Sequence, residues 1–205
     1  MTEKVRFLQN VSRTERIRET KVKLIDKVET AMQLQTDRLT IRRVTEEDWK
    51  GLQCIWKDFS ASEYAQYDMP HVTADDDVRA RVCKWAKCSD SLEHMFFAIC
   101  IGDTIIGYIA FNIRRDSYEI GYCFLSDYHG MGYAKESHRA LFDYLRTLGI
   151  TKFTAGTSMG NTPSVSLLKS LGFELVGTES VSFYKDAQGN DIVFEGGIFE
   201  LSTVQ

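Results

Sequence analysis

Hydrophobic positions change their period several times along the chain, and each change marks an element. Between residues 38 and 44, Leu39 and Ile41 alternate with polar neighbours, as on a half-buried strand. Thr45 followed by Glu46, Glu47 and Asp48 reads as a helix start, and Trp49, Leu52, Trp56 and Phe59 carry the helix on at three- and four-residue spacing. Thr73 with Asp75, Asp76 and Asp77 opens a second helix, with Val78, Val82 and Trp85 on its inner face. Residues 94–101 and 104–112 are strongly apolar runs joined by Gly102-Asp103, a predicted hairpin. A turn over residues 114–117 leads to another buried strand, 118–125. A glycine loop then precedes a helix over 135–148, in which Ala140, Leu141, Tyr144, Leu145 and Leu148 share a face. A β-branched strand at 151–158, a short helix at 165–171 ended by Gly172, and a last hairpin, 181–186 with 191–201, complete the series.

Hairpins mixed with strand–helix–strand crossovers predict an α/β (α+β) architecture: a mixed central sheet of about seven strands with helices on both faces. Residues 1–34 read as an N-terminal extension and 35–205 as one domain. In the extension, Ser12-Arg13-Thr14-Glu15 fits a capping box, and Ile17, Leu24, Ile25, Val28 and Met32 give a broken apolar stripe, so a helix to about Met32 is expected. The chain holds 205 residues, 43% of them hydrophobic, enough for one substantial core. No apolar run approaches the length that spans a bilayer, and the start Met1-Thr2-Glu3-Lys4 lacks a signal-peptide pattern, so a cytoplasmic protein without membrane attachment is expected. Its five cysteines form no CxxC pair and are odd in number, which reads as thiols in a reducing compartment. No metal site is expected, because the three aspartates at 75–77 lack the alternating ligand pattern of a calcium loop. Net charge is −4, with +3 on residues 1–38 and −7 on the remainder. An acidic body argues against nucleic acid and suits a cationic acceptor such as an amine.

The chemistry concentrates in two segments. The first is Tyr128-His129-Gly130-Met131-Gly132-Tyr133-Ala134, between a buried strand and a helix. A helix N-terminus offers unpaired N–H groups and a positive dipole end, and glycines let an anion approach the backbone; pyrophosphate is the anion expected. It is no Walker loop, since no Gly-Lys-Ser/Thr follows, and Lys135 stands where a dinucleotide fingerprint needs a third small residue. In the second segment, Asn161 reads as an N-cap, Pro163 as a first-turn proline and Ser164 as a first-turn residue.

Taken in order, Tyr-x-Gly-x-Gly-Tyr-Ala followed about thirty residues later by Asn-x-x-Ser-x-x-Leu-Leu-x-x-Leu-Gly-Phe resembles the GNAT acetyltransferases. The likeness is strongest to the RimJ/RimL branch and covers roughly residues 34–201. It implies the GNAT fold, with a splay between the fourth and fifth strands, here 118–125 and 151–158, that takes acetyl-CoA as co-substrate. By that resemblance, the backbone of Phe124, Leu125 and Ser126 pairs with the pantetheine arm. Amides of Gly130, Met131, Gly132, Tyr133, Ala134 and Lys135 bind pyrophosphate, and Asn161 and Ser164 lie against the cysteamine end. A neutral amine attacks the thioester directly. Glu119 matches a catalytic glutamate of some histone-acetylating members, with a competing reading as an acceptor-orienting carboxylate or an ion-pair partner of Arg114 or Arg115. The tyrosine that often protonates the leaving sulfur is replaced by Leu168; Ser164 is the substitute, with helix capping as its other reading. His129 replaces the Gln, Arg or Trp of relatives and is read as a phosphate ligand or an exposed loop residue.

The function expected is therefore N-acetyl transfer to a primary amine, either a protein N-terminus or a small molecule. A module that holds acetyl-CoA with little transfer is the alternative that Leu168 raises. The acceptor is expected near the first two helices and the last hairpin, beside Tyr64, Tyr67, Asp68 and His71, in a monomer or a homodimer.

Overall fold

The computed structural model describes residues 32–88 and 92–202. The helix expected over 12–32 falls almost wholly outside them. Among the described residues, eight strands form one sheet: β1 Gln33–Gln35, β2 Thr40–Arg43, β3 His94–Ile101, β4 Thr104–Arg114, β5 Ser117–Phe124, β6 Lys152–Ser158, β7 Glu174–Lys185 and β8 Asp191–Ser202. Their spatial order is β1-β2-β3-β4-β5-β6-β8-β7. Among the described residues, the β5–β6 pair is parallel and every other ladder is antiparallel. Four α-helices cover it among the described residues: α1 Trp49–Ser60, α2 Asp75–Cys88, α3 Tyr133–Thr147 and α4 Thr162–Ser170. No described helix is long and apolar enough to cross a membrane.

The described sheet has eight strands, against about seven expected from the sequence. The additional one, β1, is three residues long, and its pairing of Leu34 with Ile41 depends on a neighbour that no local period announces. β7 likewise starts seven residues earlier than expected, at Glu174, because β8 pairs it from Glu200 onward. Residues 174–180 are almost all exposed, so they carry no alternation that would reveal a strand. The β4–β5 turn is also tighter than predicted, with Arg115 in the left-handed region at φ 54°.

β3 and β4 read as unbroken apolar runs because both faces of the sheet are covered. On one face, α3 and α4 pack over Met95, Phe97, Ile99, Ile109 and Phe111, with Leu141, Phe142, Leu145 and Leu168 filling the layer. On the other, α1 and α2 place Leu52, Ile55, Trp56, Val78 and Val82 over Phe96, Ala98, Tyr108 and Ala110. Tyr118, Ile120 and Phe124 of β5 belong to the first layer, while Cys123 and Leu125 pack against the second. Strand alternation therefore turns Glu119 and Gly121 toward the α1–α2 face and Tyr122 toward α3 and α4.

The ladders on the two sides of β5 differ in length. β4 pairs with it from Ser117 to Phe124, eight positions. β6 pairs only Phe153 with Tyr118 and Thr154 with Glu119, then follows β8 as far as Ser158 opposite Gly196. Beyond Glu119 the two parallel strands part, and that opening positions the site.

Candidate active site at the strand opening

At the far end of β5 the chain turns through the glycine loop into α3. Gly130 and Gly132 have φ of 73° and 82°, a region that L side chains adopt at a cost, and an added Cβ on Gly130 would meet only open space. Gly132 caps α3, and the first helical hydrogen bond runs from the Glu136 N–H to the Gly132 carbonyl at 3.0 Å. The amides of Tyr133, Ala134 and Lys135 precede that bond and lack intrahelical partners. Such an arrangement can receive an anion.

An arginine outside the loop braces it. Arg38, just ahead of β2, donates from Nη1 to the Met131 carbonyl at 3.0 Å and from Nε to Glu136 Oε2 at 2.7 Å, and its guanidinium lies 4.4 Å from the centre of the Tyr133 ring. Thr36 Oγ1 donates to the other Glu136 oxygen at 2.5 Å. Burial opposes the Glu136 charge, but the bonds from Thr36 and Arg38 outweigh it and hold the carboxyl below its ordinary pKa. A carboxylate in the first turn would oppose any anion at this N-terminus; here its charge is matched by Arg38.

The end of β5 is tied down from several directions. Gly107 stands opposite Phe124, and the ring lies where a Cβ on that glycine would sit. The Phe124 carbonyl accepts the His129 Nε2–H at 2.9 Å, so His129 serves as a brace inside the loop. The Leu125 N–H donates to the Ile106 carbonyl at 2.9 Å. Asp58 of α1 accepts both the Ser126 N–H and the Ser126 hydroxyl, each at 2.8 Å. The Ser126 amide is thus already bonded, while the carbonyls of Phe124 to Ser126 retain a second lone pair for a ligand.

Across the opening, Asn161 Oδ1 accepts the Ser164 N–H at 3.2 Å and caps α4, with Pro163 in the first turn. The Ser164 hydroxyl lies 2.8 Å from the Tyr122 hydroxyl. Leu168, one turn on, is 1% exposed in the core and brings no polar group to the opening. Glu119, at the last β5–β6 pair, accepts the Arg114 Nε–H at 2.7 Å, and its carboxylate is 40% exposed. The ion-pair reading of Glu119 therefore has a geometric basis, and the exposure leaves the group reachable from solvent. Glu119 and Ser164 flank the opening from opposite faces of the sheet.

Three residues that sequence reasoning passed over take part. Arg38 and Asp58 act from elements far away in sequence, so no local pattern marks them. Tyr122 was legible only as one more apolar position. His138, also unremarked, is fully buried in α3; its Nδ1–H donates to the Ala134 carbonyl at 2.7 Å, its Nε2 has no partner, and burial lowers its pKa to about 4. On the α1–α2 side, His71 stacks on Trp56 with ring centres 5.7 Å apart, and Tyr67 lies edge-on to Phe194 at 5.5 Å and fills the space beside Gly160. Tyr67 thereby joins the loop after α1 to the last hairpin, the two regions expected to flank the acceptor. All five cysteines are free thiols.

Residues 38–174 match the family described as acetyltransferase (GNAT) domain. The uncharacterised N-acetyltransferase p20 of Bacillus licheniformis is 32% identical over 165 residues, spanning 76% of this chain and 89% of that protein. The uncharacterised N-acetyltransferase YnaD of Bacillus subtilis is 29% identical over 149 residues, 71% of this chain and 85% of the other. Among solved structures, the RimL ribosomal L7/L12 alpha-N-protein acetyltransferase in complex with coenzyme A shares the fold with a TM-score of 0.71, at 19% identity over 83% of this chain and 98% of that one. A family that uses acetyl-CoA matches two thirds of the chain, and its two motifs lie on either side of the strand opening: the chain belongs to the GNAT acetyltransferases, in their RimJ/RimL-like branch, and is an N-acetyltransferase.

Proposed function

We propose that the chain transfers the acetyl group of acetyl-CoA directly to a primary amine, either a protein N-terminus or a small-molecule amine, with the thioester lying in the opening between β5 and β6. The observation that carries this reading is the coincidence of an unpaired strand edge with a helix N-terminus. β6 leaves β5 after Glu119, and the edge so exposed runs toward the glycine loop. An extended pantetheine arm can add to the free edge as a strand does, and the diphosphate then meets the amides of residues 130–135. Phe124 to Ser126 hold the arm through carbonyl lone pairs, and Asn161 and Ser164 close its far side. The ligand class fits the groups present: left-handed glycines make the approach possible, and Arg38 offsets the one carboxylate in the first turn.

The residues then divide the reaction by face. An α-amine is partly neutral at pH 7, so it needs only modest help from a base. Glu119, on the α1–α2 face with the expected acceptor, takes the proton or orients the amine. Ser164, on the other face, supports the leaving sulfur with a hydrogen bond. The L7/L12 acetyltransferase of similar fold acts on a protein N-terminus, which favours that acceptor class; the acidic body suits a cationic acceptor of either class. A cytoplasmic setting, where acetyl-CoA is made and thiols stay reduced, agrees with five free cysteines.

Two measurements test the proposal in order. Calorimetric titration with acetyl-CoA should show saturable binding. A mass-spectrometric screen of N-terminal peptides and small amines should then show a mass gain of one acetyl group, with release of CoA. Binding without acetylation of any amine in the panel would overturn the transfer role, and absence of binding would overturn the site.

A further inference from the structure

Tyr122 is the side chain that bridges the opening. It lies on β5 three residues past the last β5–β6 pair, yet its hydroxyl reaches Ser164 in the first turn of α4, the helix that follows β6. Its ring is held edge-on against His138 of α3, with centres 4.8 Å apart at 88°. A phenol is the stronger donor of the pair, while a serine oxygen can accept one bond and still aim its own hydrogen elsewhere. The Ser164 N–H is already taken by Asn161, and the Ser164 carbonyl lies 3.5 Å from the Tyr122 hydroxyl against 2.8 Å for Ser164 Oγ, so the serine hydroxyl is the nearer partner.

We propose that Tyr122 is a positioning residue for the leaving sulfur: its hydroxyl donates to Ser164 Oγ and thereby points the Ser164 hydrogen into the opening, toward the sulfur of CoA. This rests on the reading of the opening as the acetyl-CoA site and adds the group that makes an otherwise poor donor effective. When the thioester carbon–sulfur bond breaks, its electron pair goes to sulfur, the proton lost by the attacking amine goes to Glu119 or water, and Ser164 and Tyr122 both keep their protons. Burial supports the last point, pushing the Tyr122 phenol up to about 12. A phenol at that level does not give its proton to a thiolate, whose conjugate thiol titrates near about 8.5. It contributes as a donor, and chained donors strengthen one another.

The test uses the full chain with CoA itself, so it needs no acceptor. The thiolate of bound CoA is followed by its ultraviolet absorbance across a pH titration. A hydrogen bond to the thiolate favours the charged form, so the thiol in the wild type should titrate about one unit lower than in Tyr122→Phe or Ser164→Ala. The double variant should be no worse than Ser164→Ala alone, because Tyr122 acts only through Ser164. CoA affinity at pH below the thiol's titration should stay within about twofold in Tyr122→Phe, since the neutral thiol draws little from the pair. A thiol titration identical in folded Tyr122→Phe and wild type would overturn the proposal, as would additive effects in the double variant. If Tyr122→Phe does not fold, Ser164→Ala decides: no shift there removes the role of the pair. Failure of the wild type to bind CoA at all would instead remove the site on which the proposal rests.

Discussion

Arg114 and Glu119 face one another across the β4–β5 turn, the guanidinium Nε 2.7 Å from a carboxylate oxygen. Both side chains are well exposed, at 61% and 40%, so the pair contributes at most about 1 kcal/mol to stability and is easily exchanged for another cation. On the proposed reading, an acceptor ammonium from the α1–α2 face takes the place of Arg114. Glu119→Gln should therefore leave acetyl-CoA affinity intact and lower turnover by about 10²-fold, the lower end of general-base assistance. Rates measured across pH separate two roles. A deficit that shrinks toward the acceptor's pKa identifies proton removal, and a constant deficit identifies orientation.

Gly132→Asp should weaken acetyl-CoA binding by at least about 10²-fold, because it sets a charge beside the amides that would meet the diphosphate. Aspartate is a good N-cap, but the left-handed φ of 82° offsets that gain, so the fold should survive. Gly132→Ala is the control for backbone strain. Calorimetry that finds equal affinity in folded Gly132→Asp and wild type would remove the loop from the site.

Arg38→Ala should reduce acetyl-CoA affinity about tenfold by freeing Glu136 to repel the diphosphate and by loosening the Met131 carbonyl. Paired removal is informative: in Arg38→Ala with Glu136→Gln, most of the affinity should return, since the offending charge has gone. Titration calorimetry of the two variants gives the answer, and an uncorrected loss in the pair would assign Arg38 a direct phosphate contact.

His138 makes stability pH-dependent. Burial lowers its pKa from 6.5 to about 4, so the unfolded chain binds more protons than the native one between these values. The stabilisation is complete above pH 6.5 and is lost as pH falls through that window, by about 2 kcal/mol at pH 5. Urea unfolding at pH 7.5 and pH 5 should show that loss in the wild type. In His138→Phe, which cannot titrate, the pH difference should shrink by the same amount.

Much of this site could be read along the chain because it is built from consecutive residues. A glycine loop between a strand and a helix, an N-cap with a first-turn proline, and a carboxylate on the preceding strand are local features, each set by backbone conformation or capping chemistry over a few residues. The apolar runs of β3 and β4 and the helical stripes of α1 and α3 were equally plain, since their period follows from which faces are covered. The seven residues of β7 from Glu174 onward were not, because exposed positions on both faces leave no period.

The residues that complete the site came from tertiary structure alone. Arg38 and Glu136 are 98 positions apart, and Asp58 and Ser126 are 68 apart, distances over which no sequence period carries information. Along the chain, Glu119 has Arg114 or Arg115 as an ion-pair partner; the register of a two-residue turn selects Arg114. The opening itself is a property of three strands together: β6 leaves β5 after two pairs while β8 keeps it to the end. Along the chain, Tyr122 is one aromatic among nine tyrosines. Only the parting of β5 from β6, with α4 folded back over the gap, puts its hydroxyl against Ser164. Local propensity reaches a few residues, whereas the contacts that join Tyr122 to Ser164 and Arg38 to the loop exist only after loop closure has been overcome by burial of the common core.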